Sequence, residues 1–553
     1  MGMANASGEF TAAETAQWND MVAKVLKGAP LSSLDRLDEN GVVTHPFYAV
    51  DLPDGVSPVK GTDPDSARPQ PAILPAQPLT RLSQGWDVCE AGSGTASNAD
   101  IMDAITSGAT ALRLNGDDVI QRLDGVVLSA VKLILDEQSD PLATYHQLLQ
   151  CAAADGASPV SMTADSLAVD LGLSPETDLS AEIVSLCQTA PASHRLFRID
   201  GWSRHNHGLT TAQEIGFVLA GAACLFRAAA THDLGIMDVA PRISVRLALN
   251  ADLFESITAC RAMRRAWDGL LAACDVDPVQ LDLHGTASLR MMSLLDAEVN
   301  MLRTTTALLG GAIGGADVMS AAGHDVLTGE SAAARRLVRM TQLMMMAESN
   351  LATTLDPASG SPFIESRTEA LATAGWQAFQ AIEAAGGLMA AMETGMIDRW
   401  QDAAADARED RLRQGQEDLL GVTLQPKPEP VPAPLPAFDH VRRPAALIEN
   451  LRRRAAASPP RILILLGDED GAANQDRKLR QQLALAGLQA VTLPASGEAD
   501  IAAANPDIVF GCGLASPPES SASFTLLDAA AFLALPDRVA ALTSLIPAEG
   551  DPS

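Results

Sequence analysis

The run R-I-S-V-R-L-A-L at Arg242–Leu249, followed closely by F-E-S-I-T-A-C-R-A-M-R-R-A-W-D-G-L-L-A-A at Phe254–Ala273, reads as a buried strand feeding an Ala- and Leu-rich helix. The same unit recurs on either side. Ala109–Leu114, Pro159–Thr163, Leu196–Ile199 and Val279–Leu283 are further strand candidates, and Thr211–Thr231 is a second long helix. About 320 residues of this βα rhythm, from 81 to 400, predict an α/β fold built on an eight-stranded TIM (β/α)8 barrel, usually about 250 residues long with room for insertions.

Outside that block the pattern changes. Residues 1–80 open with an amphipathic helical stretch, Thr11–Leu26, and pass into a Pro-rich run, Pro46–Pro78, which reads as an arm for subunit contacts or as a flexible tail. Residues 401–458 hold a charged helix (401–414) and the Pro-rich spacer L-Q-P-K-P-E-P-V-P-A-P-L-P at Leu424–Pro436, expected to be extended and semi-rigid. In residues 459–553, strands at Arg461–Leu466, Gln489–Leu493 and Asp507–Gly511 alternate with helices at Asp476–Ala486 and Ile501–Ala504. That order predicts a small, shortened flavodoxin-like α/β domain.

Composition narrows the partners. Lys plus Arg number 39 against 69 Asp plus Glu, a formal charge of −30, which disfavours nucleic acid and anionic membrane surfaces. The seven cysteines lack C-x-x-C spacing and read as reduced thiols of a cytoplasmic protein. No signal or transit segment is expected, and no window of about 18 apolar residues suggests a membrane span.

Several runs, in order, resemble the methylmalonyl-CoA mutase family: A-P-R-I-S at Ala240–Ser244, N-M-L-R-T at Asn300–Thr304 and T-Q-L at Thr341–Leu343. They continue with E-S at Glu348–Ser349, D-P-A-S-G-S at Asp356–Ser361, E-A-A-G-G at Glu383–Gly387 and M-E-T-G ending at Gly395. Each also fits a turn or a helix cap; their order carries the resemblance. The family joins an acyl-CoA-binding barrel to a C-terminal cobalamin-binding domain and interconverts methylmalonyl-CoA and succinyl-CoA by a radical rearrangement.

The residues that this chemistry needs are replaced. Where the family's cobalt-ligating D-x-H-x-x-G loop would stand, the chain reads L-G-D-E-D-G-A-A-N, Leu466–Asn474; Asp468 and Gly471 echo the loop, Asp470 stands within it, and no histidine follows His440. The G-Y-H-x-Q-E-A-G run becomes G-W-S-R-H-N-H-G, with Trp202 and Ser203 for the Tyr-His pair, and serine cannot reach or donate as imidazole does. The R-P-W-T-x-R-Q-Y run becomes Q-G-W-D-V-C-E-A-G, Gln84–Gly92, keeping only Trp86; both arginines and the tyrosine are absent, the Arg-Gln-Tyr part is replaced around Cys89 and Glu90, and Asp87 and Glu90 bring negative charge. In L-D-L-H-G-T-A-S-L-R, Leu281–Arg290, Asp282 replaces a basic residue, which would repel acyl-CoA.

The resemblance therefore implies a small, non-catalytic subunit with a degenerate cobalamin-binding-like domain. Such a subunit binds neither cofactor nor metal and forms a heterodimer with a large subunit that carries adenosylcobalamin. Alternatives are an independent acyl-CoA mutase of altered specificity, a barrel enzyme with a new site, or an accessory module for cobalamin loading. His205, His207 and His284 fall near strand ends, where an H-x-H pair and a third histidine could hold zinc, although loop or cap histidines are commoner. The Gly-rich run Ala307–Gly315 lacks the lysine of a nucleotide loop.

Overall fold

A computed structural model describes residues 20–48, 85–91, 96–136, 139–154, 168–427, 429–494, 501, 503–514 and 524–547. Eight parallel strands close into a barrel: β1 (Asp87–Ala91), β2 (Ala111–Asn115), β3 (Lys132–Asp136), β4 (Ala168–Leu173), β5 (His194–Asp200), β6 (Ile243–Leu249), β7 (Asp282–Ala287) and β8 (Val318–Ser320). Each pairs with its sequence neighbours, and β8 closes the ring on β1 through Val318 opposite Asp87.

Most outward residues of the strands are apolar. Leu112 and Leu114 on β2 and Val245, Leu247 and Leu249 on β6 are buried against the surrounding helices, the burial that drives closure. Helix Thr211–Ala230 starts at a capping box in which Thr210 and Gln213 each accept the other's backbone N–H. It packs against helices Pro362–Ala384 and Leu253–Ala273. This helix is long and apolar enough to cross a membrane, contrary to the sequence expectation, but 72% of its most apolar window is buried inside the fold. Its apolarity serves the core.

Strand positions differ from the sequence reading in places. Pro159–Thr163 lies outside the described residues, and the strand of that region is β4. The candidate at Val279–Leu283 is displaced toward the C-terminus as β7, and β1, β3 and β8 went unrecognised. Of the N-terminal arm, residues 49–78 of the Pro-rich run and most of Thr11–Leu26 lie outside the described residues. The described part is pinned at Asp38–Asn40: Glu39 pairs with Arg290 (3.1 Å), Arg408 and Arg411, Asp38 with Arg367 (2.7 Å), and Asn40 Oδ1 accepts the Ala212 N–H.

The C-terminal domain is a parallel four-stranded sheet, β9 (Ile462–Leu466), β10 (Ala490–Pro494), β11 (Ile508–Cys512) and β12 (Thr525–Asp528), in the order β10-β9-β11-β12. That is the start of a flavodoxin-type order, and β12 was not anticipated. It docks on the barrel through Leu295, Leu412 and Val422, which join its apolar cluster. Glu449, fully buried, is held by Arg443 at 2.9 Å and accepts the Leu294 N–H at 2.8 Å. The spacer crosses the C-terminal face of the barrel: the Leu435 N–H donates to Leu327 O and the Arg442 N–H to Asn206 O.

Candidate functional site

In a (β/α)8 barrel the chemistry resides along the axis and at the C-terminal ends of the strands. Here the axis is crossed by charge. Period-two alternation turns Arg113, Asp136, Asp170, Arg198, Ser244, Arg246, Asp282 and His284 inward, and several join strands that are not neighbours, which only the interior permits.

Near the C-terminal ends, Asp136 is clamped between Arg113 (3.2 Å) and Arg198. Arg198 continues to Asp170 (3.4 Å), which accepts the Ser244 hydroxyl at 2.6 Å and faces His284 at 3.9 Å. His284 reaches Asp282 at 3.5 Å, and Asp282 ends the ladder on Lys132 (2.8 Å) and Arg195 (3.4 Å). Burial alone would raise the Asp136 carboxyl, but Arg198, Arg113 and Arg246 outweigh it and hold it well below the usual carboxylate range. Asp282, likewise raised by burial, is carried far down by Lys132 and His284.

The ladder depends on a backbone detail. Gly172, at φ +66° beside the β4 irregularity, lets the Arg198 guanidinium approach; a Cβ there would lie 2.1 Å from Nη2 and 2.4 Å from Leu135 O. Gly172→Ala is therefore expected to lower stability by about 2–3 kcal/mol, through positive-φ strain and displacement of Arg198. A urea midpoint unchanged from wild type would contradict this.

The mouth above the ladder is also covered. Arg246, whose guanidinium burial and Arg113 pull down to about 10, lies 3.7 Å from the centre of the Trp202 ring. Trp202 donates its indole N–H to Ala287 O at 2.9 Å and packs against the cluster of Leu289, Met292, Leu327 and, from the segment after the spacer, Val441, which Phe438 also covers.

The comparisons with known proteins give these positions a context. Residues 161–463 match the family model of methylmalonyl-CoA mutase. The chain belongs to the methylmalonyl-CoA mutase family. It is similar to the "Methylmalonyl-CoA mutase small subunit" of Streptomyces virginiae, 30% identical over 90% of this chain and 86% of that one. The "Probable methylmalonyl-CoA mutase small subunit" of Mycobacterium bovis is 33% identical over 71% and 69%. The small subunit of Propionibacterium freudenreichii is 28% identical over 76% and 70%.

Ser203, which the sequence resemblance sets against the mutase's histidine, sits in the first turn of helix Gly201–His207, its backbone N–H donating to Asp200 at 3.1 Å. Cys89 is buried on β1, its thiol pushed up to about 11 by burial, which makes it a poor nucleophile. The expected negative charge at the mutase entrance takes another form. Glu90 points away from the axis to Arg339 (2.8 Å) and Arg335 (3.6 Å), and Asp282 is neutralised by Lys132, so neither presents free charge to a ligand. Trp86 is buried, its indole N–H donating to Gln342.

The three candidate zinc histidines have separate surroundings. His205, buried, lies 3.0 Å from the Ser288 hydroxyl and 3.2 Å from Glu214. His207 stacks edge-on with His440 at 5.2 Å, and His284 belongs to the ladder. No cluster able to hold a metal ion occurs among the described residues. Glu214 accepts the Ala248 N–H at 2.8 Å, and its carboxyl is pushed up to about 8 by burial; His205 is held well below its usual value by burial, Arg290 and Arg408. Both are neutral at pH 7.

The loop after β9 carries exposed Asp468, Glu469 and Asp470, with Gly471 at φ +96° capping helix Ala472–Leu485. Carboxylates are the side chains it offers, with no imidazole to ligate cobalt. Its donor set does not fit cobalamin. Sequence reasoning missed Arg113, Asp136, Asp170, Arg198 and Arg246; the available signal was a lone charge at the inward position of otherwise apolar strands, as in A-L-R-L-N and L-F-R-I-D.

Proposed function

We propose that the chain is the non-catalytic small subunit of a heterodimeric, cytoplasmic methylmalonyl-CoA mutase, stabilising a large subunit that carries adenosylcobalamin and performs the interconversion with succinyl-CoA. The chain itself binds no cobalamin. The observation that carries this reading is the ladder from Arg113 to Lys132, which fills with paired charge the axis through which an acyl-CoA would be held. The replaced loop Gly467–Gly471 and Ser203 support it, as do the names of the relatives.

The test is a titration of the purified chain with adenosylcobalamin, followed in the visible spectrum, together with an assay of methylmalonyl-CoA isomerisation. The chain alone is expected to give no saturable spectral change and no turnover, and the large mutase chain purified separately to be active and to gain thermal stability on mixing. Saturable binding or turnover by this chain alone would replace the proposal with an independent mutase.

A further inference from the structure

Helix Ala332–Ala347 follows β8 and packs on the barrel through Ala334, Val338, Arg339, Gln342 and Met345. Its opposite face is not polar. Leu337, Met340 and Met344 are 48%, 45% and 48% exposed, and Ala333 and Ala347 lie exposed in the same line. Positions 333, 337, 340, 344 and 347 are spaced 4, 3, 4 and 3, the heptad spacing of a helix-pairing seam. No other described helix that follows a barrel strand exposes more than one large apolar residue.

The charges beside the seam are not equivalent. Arg335 and Arg339 turn inward to Glu90, Asp100 and Asp103, whereas Arg336, next to Leu337, is exposed and forms no ion pair among the described residues. On a chain of net charge −30 this is a local cation beside an apolar stripe, complementary to a helix with an apolar seam and a flanking Glu or Asp. A second copy fits worse, because two such acidic chains repel and one 16-residue seam buries too little for a stable dimer by itself.

We infer that the outward face of helix Ala332–Ala347, centred on Leu337, Met340 and Met344, docks an amphipathic, acid-flanked helix of the larger mutase chain. The inference rests on the heterodimer proposed above and names a surface for it. Methionines suit such a face, since their flexible thioethers conform to a partner's relief.

The test uses the full chain and the larger mutase chain of the same organism. Leu337→Gln/Met340→Gln, both outward, should melt as wild type does yet bind the larger chain at least about 30-fold more weakly, the loss expected of central contacts. Arg336→Glu should weaken binding by a smaller factor that shrinks with added salt. In an otherwise unaltered chain, a benzophenone amino acid at position 344 should cross-link to the larger chain on illumination. Undiminished binding by the double variant, or a cross-link only to a second copy of this chain, would overturn the assignment and leave the heterodimer standing. Failure of the unaltered chain to bind would remove both.

Discussion

Arg198→Met is expected to destabilise the barrel by about 3–5 kcal/mol, because it breaks a buried network by removing one partner. The guanidinium lies between Asp136 and Asp170 and is almost wholly buried. Methionine fills a similar volume, so the loss is electrostatic rather than a cavity. Asp136 keeps Arg113, whereas Asp170 keeps the Ser244 hydroxyl, the Gly172 N–H at 2.9 Å and the more distant His284, and loses its guanidinium. Urea unfolding at pH 7, read by tryptophan fluorescence, measures the effect. Adding Asp170→Asn to Arg198→Met should restore part of the loss, since a neutral amide is not a stranded charge. A single-variant loss below about 1 kcal/mol, or no recovery in the pair, would mean that the ladder is solvated and the axis open.

Glu214 gives the second large effect. Its buried carboxyl titrates at about 8 against 4.5 for the free group, so the folded chain binds a proton that the unfolded chain has lost at neutral pH. The stability tied to it is complete below 4.5 and disappears as pH rises through 8. From pH 6.5 to 8 this amounts to about 1.6 kcal/mol for one proton. His205, depressed by burial, contributes the opposite slope, but in acid, where it would have to charge. Glu214→Gln keeps the acceptor for the Ala248 N–H and can donate to His205. It should therefore flatten the wild-type decline across pH 6.5–8 and be the more stable chain at pH 8. Parallel pH profiles for the two proteins would show that Glu214 is ionised in the fold.

The architecture was legible because the outer faces of the strands and the helices that cover them repeat in sequence. Arg242–Leu249 and Leu196–Ile199 were found since their outward residues are apolar. β7, D-L-H-G-T-A, hid because Asp282, His284 and Thr286 face the interior, and Gly285 lies where a side chain would meet Leu249 and Ala316. β4, A-V-D-L-G-L, hid because Asp170 and Gly172 read as strand breakers; they are what receive Arg198. β8 spans three residues, too short for any periodicity.

For the site, sequence reasoning pointed to Ser203 and the loop after β9 as positions that differ from the mutase motifs. It could not show that new charges answer one another, because Lys132 and Asp282 stand 150 residues apart. Asp282 viewed alone suggests repulsion of a ligand; beside Lys132 it is half of a buried pair.

The same ladder bears on how such a chain can change over generations. Removing a central rung such as Arg198 alone takes the guanidinium from Asp170, at about 3–5 kcal/mol against a total stability of about 5–15 kcal/mol. A lineage that filled its barrel this way has little chance of emptying it one substitution at a time, since the intermediates would be culled as unfolded chains. If the chain is the non-catalytic subunit proposed above, a histidine placed at position 203 or 470 is not expected to give it mutase activity while Arg113, Asp136, Asp170 and Arg198 still brace the axis.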